Sequence, residues 1–103
     1  MTLCESTLCG GGAKSPLWQK ILCNVLNISI IIPTSVEGPA LGGAMLAMVA
    51  SGDKKDIRQI SKEFFAEKQR IEPQAELVEL YERKYAKWSN IYPAAKELFK
   101  DIK

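Results

Sequence analysis

The spacing of apolar residues in the first half of the chain predicts a helix over residues 16–27. Ser15 is a good N-cap, Pro16 suits the first helical position, and Asn27 is a plausible stop. Apolar residues recur at helical spacing and define one broad face, expected to be buried: Leu17, Trp18, Ile21, Leu22, Val25 and Leu26. The remaining positions are expected to lie away from that face: Gln19, Lys20, Cys23 and Asn24.

A run of β-branched residues follows this helix. Residues 28–33 (Ile-Ser-Ile-Ile-Ile-Pro) are nearly all apolar and end in proline, which predicts a strand. A continuous apolar run is typical of a strand covered on both faces, as in a parallel sheet. A weaker signal predicts an earlier strand over residues 7–9. Together these segments predict a βαβ unit with a right-handed crossover.

A second helix is predicted from Pro39 to about residue 51, after a loop over residues 34–38. Its residues are apolar on every side, which is typical of a buried helix. Gly42 and Gly43 each cost a helix roughly 0.5–1 kcal/mol relative to alanine. We therefore expect another helix, a sheet or a ligand to press on that face.

Charged residues dominate after Gly52, which is a candidate C-cap. Asp53 is predicted to cap a third helix, which residues 71–73 (Ile-Glu-Pro) end. We expect the charges of residues 53–103 to form the solvated outer face of one unit, because no flexible linker separates the two halves.

The last helix is predicted to start near Pro73. Glu79 and Arg83 form a favourable i, i+4 pair on it. Pro93 is expected to kink or split the helix, and residues 94–102 to form a closing helical segment.

Composition excludes several classes of function. The chain has 103 residues and no histidine, so it contains no Ser-His-Asp triad, Cys-His pair or His-ligated metal. Its net charge of +2, from 14 basic and 12 acidic residues, is too near neutral to indicate binding to nucleic acid or to a membrane surface. The longest apolar run, residues 38–50, is shorter than the ~18 residues of a membrane span.

The three cysteines indicate a reducing compartment. Cys4, Cys9 and Cys23 have neither disulfide nor zinc spacing and are expected to be free thiols. Cys9 and Cys23 are predicted to be small core residues. We therefore expect a cytoplasmic protein.

The Gly-Gly-Gly-Ala-Lys-Ser stretch at residues 10–15 is the strongest candidate for chemistry. Glycines let the backbone approach another surface, and the helix N-terminus after Ser15 suits an anion such as phosphate. The spacing is neither that of a P-loop nor that of the dinucleotide fingerprint. Two interpretations stay open at this point: a phosphate or nucleotide site, or a tight strand-to-helix turn without a ligand. Lys14 either contacts a phosphate or is simply solvated.

Other residues offer little catalytic chemistry. Phosphoryl transfer needs carboxylates that hold a metal and a base for the acceptor hydroxyl. The three aspartates all lie in charged helical territory far from the glycines, so we assign no catalytic residue and no metal ligand. Trp18 and Trp88 are predicted to be core residues, and Glu37 an acidic cap. We do not expect this chain alone to be a complete enzyme.

Several segments resemble the C-terminal domain of the FGGY family of carbohydrate kinases. Residues 8–22 (Leu-Cys-Gly-Gly-Gly-Ala-Lys-Ser-Pro-Leu-Trp-Gln-Lys-Ile-Leu) resemble a signature of that domain, most of all in its xylulose kinase branch. Other blocks of the domain are similar to residues 37–44, 71–73 and 92–94. We therefore assign residues 1–103 to the nucleotide side of this domain.

The resemblance implies an α/β fold, namely part of the actin-like, ribonuclease-H-like ATPase C-terminal domain, with a short parallel βαβ unit followed by packed helices. It also implies that the glycine stretch is the family's adenosine motif. The motif places ATP against Gly11, Gly12 and Ala13, with Gly10, Lys14 and Ser15 as neighbours. The family transfers the γ-phosphate of ATP to a sugar hydroxyl with Mg²⁺.

This sequence is several times shorter than a family member. The family's Asp-x-Gly-Thr phosphate loop, its second phosphate segment and its catalytic aspartate lie upstream and are not in this chain. We expect a C-terminal piece of a kinase for D-xylulose, or alternatively for gluconate, ribulose or glycerol, that is inactive alone. Its Mg²⁺ ligands and sugar-binding residues lie elsewhere. The other hypothesis is a non-catalytic α/β association module, and self-association through exposed apolar surface is expected in both cases.

Overall fold

A computed structural model of the chain describes residues 2–54 and 56–102. Lys55 and Lys103, which belong to the predicted charged face, lie outside the described residues. In the described residues, eight α-helices and β-strands follow one another in chain order: β1 (Glu5–Thr7), α1 (Pro16–Leu26), β2 (Ser29–Pro33), α2 (Pro39–Ala50), α3 (Ile57–Phe64), β3 (Glu67–Ile71), α4 (Ala75–Trp88) and α5 (Ile91–Ala95). The strands form one sheet in the order β1-β2-β3, with β1 parallel and β3 antiparallel to β2.

The predicted parallel β-α-β arrangement is confirmed, with its first strand two residues earlier than expected. Leu8 still donates its N–H to the carbonyl of Ile31 at 2.9 Å, so pairing with β2 extends past the end of β1. Ser15 caps α1 by accepting the N–H of Trp18 at 3.2 Å. Asn27 ends α1 in the left-handed conformation, with φ of 52°.

The buried side of α1 is opposite to the predicted one. Leu17 and Leu26 are 68% and 53% exposed, whereas Gln19, Cys23 and Asn24 are buried. This side carries amide and thiol groups that bond to backbone atoms of other segments, so its polar groups are satisfied when buried. The apolar side of α1 stays largely open among the described residues.

Only a small core lies between α1 and the sheet. Cys23, Ile30 and Ile32 are its buried members, and four partly buried side chains pack around them: Leu8, Ile28, Val36 and Ile71. The strand predicted to be buried is therefore central to the core. Cys9, predicted to be a core residue, is exposed because it lies in the chain leading out of β1.

Helix α2 has the predicted bounds but not the predicted burial. Of its residues only Met45 is buried, and Leu46 is 60% exposed. A methyl group at Gly42 or Gly43 would have no neighbour within 4 Å, so no described residue presses on these glycines. The expectation of a buried helix is wrong for the described residues, since α2 packs mainly on α3.

The structure contains a strand that the sequence pattern did not predict. Helix α3 begins after Asp56, not Asp53; the Asp56 side chain accepts the N–H of Arg58 at 2.9 Å. Strand β3 (Glu-Lys-Gln-Arg-Ile) then pairs with β2 along the edge of the sheet. Its charges hide it from pattern analysis, although charged residues are common on edge strands.

The C-terminal helices are separated before Pro93. Helix α4 ends at Trp88, and α5 includes Pro93 in its first turn, where the missing N–H does little harm. The predicted Glu79–Arg83 pair is confirmed, at 2.7 Å. Trp88 was predicted to be a core residue, but it is 64% exposed, and its ring stacks on that of Tyr85.

The fold is extended for its length. Its radius of gyration is 19.3 Å, whereas a compact domain of about 100 residues has about 13 Å. Many large apolar side chains are accordingly exposed on α1, α4 and the C-terminal segment. None of the helices in the described residues combines the length and apolar character needed to cross a membrane.

Candidate functional site

The glycine turn, residues 10–15, joins the sheet to α1. It contains a short 3-10 helix, Gly11–Lys14, closed by bonds from the N–H of Ala13 to the carbonyl of Gly10 and from the N–H of Ser15 to the carbonyl of Gly12, both 3.1 Å. Gly10 also donates its N–H to the carbonyl of Val36 at 2.6 Å. The turn is thereby tied to the loop that follows β2. Both segments follow the carboxyl ends of parallel strands, where α/β sheets commonly bind ligands.

The local structure favours glycine at two of the three glycine positions. Gly10 has φ of +85°, a conformation that side chains disfavour. A Cβ atom at Gly12 would lie 2.8 Å from Cδ1 of Trp18, which is partly exposed rather than part of the core. Gly11 has ordinary backbone angles and nothing within 4 Å of its Cβ position. Its glycine is therefore not explained by contacts within the described residues.

Gln19 holds the turn in place, and the sequence pattern did not identify it. Its side chain is 6% exposed, and Nε2 donates to the carbonyl of Ala13, which is itself buried. The bond spans six residues and joins the first turn of α1 to the preceding 3-10 helix. Periodicity marks Gln19 only as a polar position of α1, so no sequence signal could have assigned this role.

A cleft of about 410 Å³ lies beside the glycine turn. This volume is typical of small-molecule sites, which span about 300–1,000 Å³. The residues that line it come from the turn and α1, from β2 and its following loop, and from β3: Ala13, Lys14, Pro16, Gln19, Ile32, Pro33, Thr34, Val36, Lys68 and Gln69.

The cleft brings together only part of the predicted site. Among the six predicted residues, Ala13 and Lys14 line the cleft, while the three glycines and Ser15 shape the backbone beside it. Lys68 and Gln69 were missed because β3 was not predicted. Other surface pockets lie between α1 and α4, on α4 and near α5, and their linings contain none of the predicted residues.

The charge of the cleft suits an anion. Lys14 and Lys68 are the charged residues in its lining, which includes no carboxylate. Neither lysine forms an ion pair with any described residue. The described residues also contain no group of three acidic, cysteine or histidine side chains that could hold a metal ion. Mg²⁺ therefore does not fit the residues present at this cleft.

Comparison with known proteins identifies the family to which this chain is related. Residues 7–51, from β1 through α2, match the C-terminal domain of the FGGY family of carbohydrate kinases. A xylulose kinase of Bacillus subtilis is 33% identical over 89 residues, which are 86% of this chain and 18% of the relative. The chain belongs to the FGGY family of carbohydrate kinases.

Other FGGY kinases show similar agreement. An autoinducer-2 kinase of Enterobacter sp. is 32% identical over 83 residues, 81% of this chain and 16% of the relative. The crystal structure of a ligand-bound xylulose kinase from Lactobacillus acidophilus superposes with a TM-score of 0.79 at 19% identity, covering 96% of this chain and 20% of that one. The predicted fold class is therefore confirmed. The chain spans less than a fifth of the length of the two curated relatives.

Proposed function

We propose that this chain supplies the adenosine-binding side of the ATP site in an FGGY sugar kinase. The residues that would hold ATP are Gly10, Gly11, Gly12, Ala13, Lys14 and Ser15. The observation that carries the proposal is Gly11, an open glycine that no local contact requires, in a turn beside a cationic cleft. A glycine in such a place lets a ligand approach the backbone closely.

Hydrogen bonds hold the turn on both sides, from Gly10 to Val36 and from Gln19 to Ala13. Bonds that fix the backbone of a binding loop lower the entropy that the loop loses on binding. The backbone of Gly11 to Ala13 would lie against the nucleoside, and Lys14 would place its charge near a phosphate.

The complete kinase would transfer the γ-phosphate of ATP to a sugar hydroxyl. Such transfer needs Mg²⁺ and a base, and the residues lining the cleft include no carboxylate to serve as either ligand or base. These groups would come from other parts of the protein, so the chain alone would be inactive. The three cysteines are free thiols, which suits the cytoplasm.

D-xylulose is the sugar we favour. The support is the 33% identity to a xylulose kinase, close to the 32% identity to an autoinducer-2 kinase. Because the two identities are nearly equal, autoinducer-2 is an alternative substrate to test, together with gluconate, ribulose and glycerol. The sugar would contact the parts of the kinase outside this chain.

A pair of matched glycine variants tests the nucleotide site. Gly11→Ala and Gly43→Ala each add a methyl group where the structure leaves space. We expect Gly11→Ala to weaken ATP binding roughly tenfold, since overpacking costs about 1–3 kcal/mol, and Gly43→Ala to leave it unchanged. Calorimetric titration of the 103-residue chain measures both. Equal affinities of the two variants would refute the assignment of Gly11.

An activity assay tests the second part of the proposal. The purified chain is mixed with ATP, Mg²⁺ and D-xylulose, and ADP release is followed in a coupled assay. We expect no sugar-dependent release. Measurable turnover that depends on the sugar would overturn the claim that the chain is inactive alone.

A non-catalytic association module is the second candidate, favoured by the exposed apolar side chains. Leu17 on α1 and Trp88 on α4 are 68% and 64% exposed, and Tyr92 and Phe99 extend the apolar surface beyond α4. Sedimentation is expected to show self-association under both proposals. Nucleotide binding distinguishes them, because an association module without a site would leave ATP unbound.

A further inference from the structure

The glycine turn uses only one end of the Gln19 amide. Gln19 is 6% exposed, and its Nε2 donates to the carbonyl of Ala13. A carbonyl oxygen only accepts, so the Nε2 end of the amide faces Ala13 and the Oε1 end faces away from it. In the part of the chain that the structure describes, no N–H or O–H group donates to this oxygen.

The Oε1 atom of Gln19 opens into the cleft beside the glycine turn. Within residues 2–54 and 56–102, every fully buried side-chain nitrogen or oxygen atom has a hydrogen-bond partner, so the unbonded Oε1 is not sealed in the interior. Gln19 belongs to the lining of the cleft, which is the open space beside this otherwise buried side chain. A largely buried amide oxygen without a partner costs free energy, and a donor on a ligand would offset that cost.

Apolar side chains surround this acceptor in the cleft. Ile32, Pro33 and Val36 come from β2 and the loop after it. Ligand pockets typically combine such an apolar lining with a few polar groups that fix the orientation of the ligand. A nucleoside has flat apolar surface on its base. It also carries donors that an amide oxygen accepts, namely the amino group of adenine and the hydroxyl groups of ribose.

We propose that Gln19 recognises the nucleoside of ATP. Its Oε1 accepts a hydrogen bond from the amino group of adenine or from a ribose hydroxyl, while its Nε2 holds Ala13. The inference rests on the proposed ATP site and adds a side chain of α1 to the backbone of the glycine turn. One amide thus links the shape of the turn to the choice of ligand, because a flip that broke the bond to Ala13 would also turn the acceptor away.

The test combines one substitution with a series of nucleotides. Purine riboside triphosphate lacks the amino group of ATP, and 2′-deoxy-ATP and 3′-deoxy-ATP each lack one ribose hydroxyl. We expect one of these analogues to bind the unaltered chain about fivefold more weakly than ATP, as the loss of one hydrogen bond between neutral groups implies. In Gln19→Met, which has a side chain of similar length without the amide, this analogue and ATP should bind equally. The analogue that behaves in this way identifies the donor.

Two controls separate recognition from a structural role. A structural role alone would weaken ATP and all analogues by the same factor, and their affinity ratios would stay unchanged. Gln59→Met is the matched control, because Gln59 is exposed on α3 and is not among the residues that line the cleft; it should change no affinity. The side-chain amide signal of Gln19 in ¹⁵N spectra needs no substitution and decides the question if Gln19→Met does not fold. It should shift more with ATP than with the analogue that lacks the donor.

The outcomes distinguish this inference from the proposed function. Three results would each overturn the role of Gln19 and leave the glycine turn as the nucleotide site. They are affinity ratios that survive Gln19→Met, analogues that all bind the unaltered chain as tightly as ATP, and a Gln19 amide signal that ATP does not move. Failure of the unaltered chain to bind ATP at all would refute the proposed function itself.

Discussion

Asn24→Ala tests the inverted packing of α1 and the anchoring of α4. Asn24 is 1% exposed, and its Oδ1 accepts the N–H of Gln74 at 2.7 Å. Gln74 is the residue before α4, which has no side-chain cap of its own. The Asn24 amide therefore caps α4 from another helix. Its Nδ2 donates to the carbonyl of Lys20, also at 2.7 Å.

The expected cost follows from these two bonds. Removing the amide leaves a part-buried N–H at Gln74 without its acceptor, which costs about 1–3 kcal/mol. Alanine is the better helix former by up to about 0.7 kcal/mol, which offsets part of the loss. We expect a net destabilisation of about 1–2 kcal/mol, or a Tm lower by roughly 4–16 °C for a domain of this size.

Two measurements check this expectation. Thermal unfolding gives the change in Tm, and hydrogen exchange of the Val78 amide, which donates to the carbonyl of Gln74, reports on the first turn of α4. Asn90→Ala is the control, because Asn90 is exposed and bonds only within its own turn; its Tm should change little. If Asn24→Ala unfolds like Asn90→Ala and Val78 exchange is unaltered, Asn24 does not anchor α4.

Three further predictions concern the glycine turn and the thiols. Gly12→Ala should lower the free energy of unfolding by about 1 kcal/mol, since the new methyl group meets the Trp18 ring; chemical denaturation should show no such loss for Gly11→Ala. A thiol reagent should modify Cys4 and Cys9 in the native chain but Cys23 only after unfolding; rapid modification of all three would contradict its burial. Burial raises the pKa of the Cys23 thiol above its ordinary value, so the unfolded state loses this proton first. Stability measured against pH should therefore fall above pH 9 more in the unaltered chain than in Cys23→Ala.

The sequence was sufficient to predict the ends of α1 and the strand β2, because both depend on residues close together in the chain. The cap at Ser15, the proline at the first position of α1 and the left-handed stop at Asn27 depend on residues within a few positions of one another. The apolar run of β2 was equally readable, because burial on both faces leaves a continuous hydrophobic signature. These features fix the glycine turn between a strand and a helix.

Tertiary contacts decided what the sequence pattern could not. Periodicity shows that α1 has two unlike faces but not which face packs on the sheet. The polar face packs because Asn24 finds its partner at Gln74, 50 residues away. Strand β3 was hidden for a related reason, since its pairing with β2 supplies what its charged sequence lacks. Missing β3 also meant missing Lys68 and one wall of the cleft.

The exposure of α2 also depends on tertiary contacts that the sequence pattern does not show. Gly42 and Gly43 indicated close packing, but no described residue lies within 4 Å of a methyl group placed at either position. The chain spans less than a fifth of the two curated FGGY relatives. We predict that the apolar surface of α2 is covered in a complete FGGY kinase. Limited proteolysis at α2 should accordingly be fast in this chain and slow in a full-length kinase.

Nucleotide binding at the glycine turn is the central claim, and amide chemical shifts of the ¹⁵N-labelled chain test it most directly. On addition of ATP, we predict shift changes centred on residues 10–15 and extending to other residues that line the cleft. The matched control is Gly11→Ala, in which the changes should require roughly tenfold more ATP. Spectra that stay unchanged at saturating ATP would contradict the account. So would spectra that change only around the pocket near α5, which Tyr92 and Phe99 line.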